Sequence, residues 1–313
     1  MSDRLRKSTK KQVISIILVL TLLLSVILSG CHGQSSEIQN KKFRKFTETL
    51  FCQEVASNTV SLHYTLKDPG QYGIQDSPVT LGYFNTDKGT RKISTENTQA
   101  ALKRFSYRKL SRENRLTYDV LDYYLELSKK ESDYLLYEEP MGTVSGVQTQ
   151  IPVLLSEYQF QSKEDVDAYL ELMKTTPDYF NSLIAFEQEK AQKGLFMASY
   201  TADTVIEQCQ AFIDMGDSNY LISTFVDRIQ KLTDLSESEK SDYIQKNAYM
   251  LQTYVLPAYQ QLIKTVVELK DSGKNEEGLC YLPNGKEYYE LTVQASTGSV
   301  RTVPQLQKLT KNQ

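Results

Sequence analysis

Histidine is the scarcest chemistry-bearing residue in this 313-residue chain, which holds only His32 and His63. A zinc hydrolase helix needs two histidines on one face and a glutamate to activate water, and no His-Glu dipeptide occurs. A serine, cysteine or threonine nucleophile needs a base within hydrogen-bond reach, and His63 is the only candidate of the usual kind in the body. No Gly-x-Ser-x-Gly elbow, P-loop or Gly-x-Gly-x-x-Gly phrase is present. The acidic pairs Glu138-Glu139 and Glu276-Glu277 sit in polar surroundings and read as solvated background. No catalytic and no metal-ligating residue is therefore named from the residue pattern, and no cofactor is expected.

Tyrosine and cysteine remain. There are 21 tyrosines, with doublets at Tyr123-Tyr124 and Tyr288-Tyr289. Such side chains can line a peptide or glycan groove or fill helix contacts. Tyr288 and Tyr289 follow a tight Pro283-Asn284-Gly285 turn that would aim them. Cys52, Cys209 and Cys280 form no close pair, which argues against a disulfide framework, and Cys209 lies in an apolar helical pattern as a small buried hydrophobe.

Cys31 stands apart. Arg4, Arg6, Lys7, Lys10 and Lys11 precede an uncharged apolar run from Val13 to Leu28, shorter than the ~20 residues that comfortably span a bilayer. The run closes in Leu28-Ser29-Gly30-Cys31 with no stop-transfer cluster of positive charges. That tetrapeptide resembles a bacterial lipobox, which implies cleavage before Cys31, acylation of its thiol and a body outside the cytoplasm anchored to membrane lipid. Residues 1–30 are then a signal peptide, 31–40 a tether and 41–313 a helical domain. Loss of residues 1–30 leaves 31 Lys plus Arg against 38 Asp plus Glu. This acidic balance argues against a nucleic-acid partner and against a polybasic second membrane signal.

The elements that must position these groups read as mainly α. Phe43, Phe46, Leu50, Phe51 and Val55 recur at helical spacing from Ser36 to about Asn58. Further helices are predicted near Ser94 and after Ser111, where Leu116, Val120, Leu121, Tyr124 and Leu125 share a face. Ser162 with Asp165 and Ser236 with Glu239 have capping-box spacing, Thr176-Pro177 marks a helix start and Gly194 its end. A helix is expected from near Thr201, and a long one after Ser236 should kink at Pro257. Two stretches rich in Gly, Pro and polar residues, Ser61–Phe84 and Tyr137–Phe160, are expected as long ordered loops, the first with room for a short hairpin.

Several phrases, "SLHYTLKDPGQYGI", "GVQTQIPVLLSEYQF", "AYLELMKTTPDYFNSLIAFEQEKAQKGLFM", "VIEQCQAFI" and "LPNGKEYYELTVQASTG", together resemble the first half of the bacterial domain of unknown function 885. The family is similar to mostly helical zinc metallopeptidases, whose metal segment carries a His-Glu pair followed by Pro-Gly-His. Here the only Pro-Gly pair, Pro69-Gly70, is followed by Gln71, so no ligand carries over. The family phrase matched by Gly285, Lys286, Glu287, Tyr288 and Tyr289 implies that Gly285, Tyr288 and Tyr289 line a substrate channel.

The expectation is an irregular multi-helix array, an extracytoplasmic lipoprotein carrying the noncatalytic first half of a peptidase-like domain. One alternative is half of a split zinc metallopeptidase, with a downstream-encoded second chain supplying the zinc ligands. A solute-binding lipoprotein is the other.

Overall fold

A computed structural model describes residues 36–75 and 77–311, and every regular element among them is helical. The mainly α expectation holds. The parallel sheet on which a solute-binding lipoprotein rests is absent among the described residues, as is the hairpin allowed for in the first loop, so the solute-binding alternative is not carried forward. Residues 1–30 and Cys31 lie outside the described residues. Among the described residues no helix is long and apolar enough to cross a membrane.

Helix α1 (Ser36–Val55) begins within the expected tether, so Ser36–Asn40 is helical. Its Phe43 is fully buried, with Phe105 edge-on at 5.2 Å and Tyr118 stacked at 6.3 Å. With Leu102 of α3 (Lys88–Leu102), Leu110, and Leu125 of α4 (Arg112–Glu131), Phe43 forms a small core of its own. Hydrogen bonds fix the start of α1 against α4. Asn40 Oδ1 accepts from Ser111 N and from Asn114 Nδ2, both at 2.7 Å, while Gln39 Nε2 donates to Ser106 O at 2.9 Å. Helix α3 starts six residues before the predicted Ser94, because Asp87 caps it by accepting from Gly89 N and Thr90 N. Its polar, glycine-containing first turns hide that start from an apolar pattern.

Both predicted loops contain helix. The first holds α2 (Thr59–Thr65), capped by Asn58 Oδ1 accepting from Ser61 N at 2.8 Å. The second holds α5 (Val147–Glu157), with Pro152 in its interior. A proline there frees the carbonyl four residues back. That carbonyl, on Gln148, instead accepts from Tyr259 Oη at 2.7 Å, and Ile151 and Leu155 are buried. Tertiary packing thus supplies what the local sequence withholds.

The main core joins α5 to α6 (Lys163–Lys174), α7 (Thr176–Gln192), α8 (Ser199–Asp214), α9 (Tyr220–Ile229), α10 (Glu237–Met250) and α11 (Leu256–Leu269). Both capping boxes form: Ser162 N donates to Asp165 at 3.0 Å and Ser236 N to Glu239 at 2.9 Å. Gly194, with φ of 70°, follows the end of α7. The kink expected at Pro257 is a π-turn over Leu251–Val255, in which Leu256 N donates to Leu251 O, so the ladder widens one turn ahead of a residue that cannot donate. Two further helices follow, α12 (Gly285–Thr297) and α13 (Val303–Lys311).

Candidate functional site

The most strongly perturbed carboxyl lies on α7 and not at a position singled out from sequence. Glu187 is 1% exposed, and neither carboxylate oxygen has a hydrogen-bond partner among the described residues. Burial pushes its pKa up to about 7; Lys190 one turn on pulls it down and the charge of Glu139 pushes it up. Lys190, also buried, lies 3.8 Å from Glu187 Oε2, an ion pair too long for a hydrogen bond. Its Nζ donates to Glu138 O at 2.7 Å and pairs with Glu139 Oε2 at 2.9 Å. One cation therefore ties the segment after the 3₁₀ turn Ser132–Tyr137 to α7 and leaves Glu187 the weakly paired member.

A cavity of about 400 Å³ adjoins this cluster, lined by Tyr83, Phe84, Arg91, Leu135, Glu138 and Phe186. The Arg91 guanidinium bonds Glu138 Oε1 at 2.6 Å across half-exposed surroundings. Phe84 N donates to Ser182 Oγ, and the Phe84 and Phe186 rings lie 5.8 Å apart, which holds residues 83–87 over α7. The arrangement offers an apolar wall, an ion pair that a charged ligand could open, and nearby a carboxyl able to hold or release a proton at neutral pH.

Tyr288 reaches the same region from α12. Its ring lies 5.6 Å from Tyr134 and 5.2 Å from Tyr137, and the Tyr137 hydroxyl donates to Pro283 O. Burial raises the Tyr288 phenol, assisted by the charges of Glu138 and Glu139. Tyr289, the next residue round the helix, is 50% exposed and sits away from this triad of rings. Gly285 is buried, and a Cβ there would stand 1.8 Å from Leu279 O, so no larger residue fits without a shift. Asn284 just before it adopts φ of 55°, so the turn is set by close backbone approach. The structure thus places Tyr288 beside the charged cluster and gives Gly285 a packing role. Glu187 and Lys190 escaped notice because a Glu and a Lys three apart in a helix look like an ordinary surface pair.

His63 serves packing. Its ring stacks on Tyr158 at 3.7 Å, and its Nε2 accepts from Gln159 N at 3.1 Å. Burial lowers its pKa against the pull of Asp165, which favours the neutral form. Close by, the Arg228 guanidinium lies 4.5 Å from the Phe160 ring centroid and 4.9 Å from that of Tyr169, donating to the Leu155 and Tyr158 carbonyls. Cys209 is buried, its thiol pushed up to about 12 by desolvation, so it is a core residue and not a nucleophile. Among the described residues no group of three His, Cys, Asp or Glu could hold a metal ion, and with the His63 Nε2 engaged the donors present do not fit zinc.

A model of the family described as bacterial protein of unknown function (DUF885) matches residues 83–313. No curated protein matches the chain. Among solved structures, the chain is similar to "the putative lipoprotein from Colwellia psychrerythraea" at 14% identity and a TM-score of 0.70. The match covers 87% of this chain and 48% of that one, so this chain spans about half the length of its structural relative.

Proposed function

This chain belongs to the DUF885 family, and from that premise we propose an extracytoplasmic lipoprotein, held at the membrane through Cys31, whose body is the noncatalytic first half of a larger peptidase-like helical architecture. The observation carrying this reading is that 87% of the chain shares its fold with only 48% of a longer one. Surface chemistry supports it. Leu116, Val120 and Tyr124 of α4 are each more than 60% exposed on one face. Helix α13 has Val303, Leu306 and Leu309 at helical spacing and buries no residue. The basic leader, apolar run and Leu28-Ser29-Gly30-Cys31 support the anchor, in agreement with the description of the structural relative. In this reading Tyr288, with the cavity beside Glu138, contacts a peptide segment, Gly285 shapes the turn that presents it, and Tyr289 lies at the outer edge.

The test is expression of the full chain in bacteria fed labelled palmitate, followed by metal analysis and a peptidase assay on the purified product. The label should be present, should vanish in Cys31→Ala, and should come without stoichiometric zinc or peptide cleavage. An unlabelled chain overturns the anchor. Stoichiometric zinc with cleavage overturns the noncatalytic assignment.

A second reading is favoured by the same exposed stripe on α4. A separate chain bearing the His-Glu and Pro-Gly-His segment packs there and completes a split zinc metallopeptidase. Sedimentation of the purified chain, with binding of an apolar dye, decides its motive. A monomer that takes up no dye leaves the split enzyme without one.

A further inference from the structure

We propose that the end of the molecule formed by the start of α1, residues 103–111 and the start of α4 is a docking surface for anionic lipid headgroups. The observations are charge, exposure and position. Residues 36–45 and 103–115 together hold ten basic side chains and only two acidic ones, Glu37 and Glu113. They are one surface because Gln39 bonds Ser106, Asn40 bonds Ser111 and Asn114, and Phe43 packs on Phe105. Lys41, Lys42, Arg44, Lys45, Lys103, Arg104, Arg108 and Arg112 are all exposed. None of these eight has an ion-pair partner among the described residues, whereas basic side chains elsewhere, such as Lys129 and Lys270, pair with acids.

The remainder of the chain after residue 30 carries 21 basic against 36 acidic side chains. The basic surface therefore stands against an acidic remainder, which the overall net charge conceals. The acidic average that argued against a polybasic membrane contact comes from the rest of the chain. Two apolar side chains stand among the cations: Tyr107, 40% exposed with its hydroxyl donating to Asp119, and Leu116, 66% exposed. A basic surface with aromatic and aliphatic footholds is the chemistry that binds the headgroup region of an anionic bilayer.

Position selects the membrane over other polyanions. Five Cα-to-Cα steps lead from Cys31 to Ser36, and at full extension they span at most ~18 Å. This inference rests on the proposed anchoring at Cys31. Given that anchor, the chain enters the fold at its most basic surface, which is held within reach of the headgroups. The contact fixes the tilt of the body on the membrane.

The test uses the purified full-length chain in phosphatidylcholine vesicles with and without phosphatidylglycerol, labelled by a membrane-impermeant amine reagent and digested for mass spectrometry. Lys41, Lys42, Lys45 and Lys103 should label about fivefold more slowly when phosphatidylglycerol is present, the scale on which an anionic surface attracts each nearby basic residue. Lys231 and Lys246, exposed on the part of the molecule built round the main core, should label equally in both. The protection should disappear in 1 M salt, where screening reaches ~3 Å, and in the triple variant K45E/R108E/R112E for the lysines that remain.

Equal labelling of the four lysines in both vesicles overturns the inference. So does equal protection by a soluble polyanion added to neutral vesicles, which would make the surface a general polyanion site. The same digest reports the mass of the Cys31 peptide. Failure of acylation is therefore seen separately from failure of the headgroup contact, which is read on whatever segment holds the chain to the vesicle.

Discussion

Replacing Glu187 with glutamine tests the central electrostatic feature of the site. Holding a carboxyl at about 7 instead of 4.5 disfavours its ionised form by about 3 kcal/mol, at about 1.36 kcal/mol per tenfold change in proton affinity. The group is 1% exposed, so solvent screening discounts this little. In the unfolded chain the carboxyl releases its proton near 4.5 and in the folded chain near 7, so across that window the unfolded state binds fewer protons. Stability then falls as pH rises from about 4.5 to about 7 and is level on either side. Glutamine keeps the shape and has no proton to lose. It also removes a charge 3.8 Å from Lys190, but that cation retains Glu139 and the Glu138 carbonyl. The variant should match the parent near pH 4 and exceed it by about 3 kcal/mol near pH 8. The assay is urea denaturation at both pH values with the slope unchanged, so that the midpoint alone reports stability. A variant less stable than the parent at the higher pH would refute this reasoning, since it would mean that the ionised Glu187 is net favourable beside Lys190 and that burial does not raise its proton affinity.

Lys190→Met should cost roughly 3 kcal/mol near neutral pH by leaving buried acceptors without their cation, and adding Glu187→Gln should recover part of the loss in the same urea measurement. Gly285→Ala forces a methyl against Leu279 O and should cost about 1–3 kcal/mol, with faster proteolysis around 278–285. Arg228→Lys loses the planar fork that reaches two carbonyls between two rings and should lower stability by about 1–3 kcal/mol, read by thermal denaturation. Phe43→Ala should destabilise by about 3–5 kcal/mol, and hydrogen exchange should localise the loss to the amides of α1, α3 and α4, leaving α11 protected.

Capping residues made much of the fold legible. Ser162 and Ser236 begin helices where their spacing to Asp165 and Glu239 says they should, because these signals are local and hydrogen-bonded within one turn. What escaped depended on distant partners. Val147–Glu157 looks like a loop because of Pro152, and only Tyr259, more than a hundred residues away, makes a helix tolerable there. The apolar face of α4 was legible as a stripe, but its exposure was not, since periodicity reports a face and not what covers it. The site was less visible still. Tyr288 was singled out, whereas Glu187 and Lys190 acquire their character only from burial, which a charged pair at helical spacing does not announce.

The small core around Phe43 has a mechanical consequence. A chain held at its N-terminal end transmits any pull into α1, and α1 is secured by a few side-chain hydrogen bonds from Gln39 and Asn40 and a cluster of only four buried hydrophobic residues. The main core is a separate and larger cluster. Under tension α1 should peel from α4 at forces that leave α6 to α11 folded, so the N-terminal cluster acts as a fuse between the attachment point and the rest of the molecule. Single-molecule extension from residue 36 should show a short first step, release of the α1 segment, well before the main rupture.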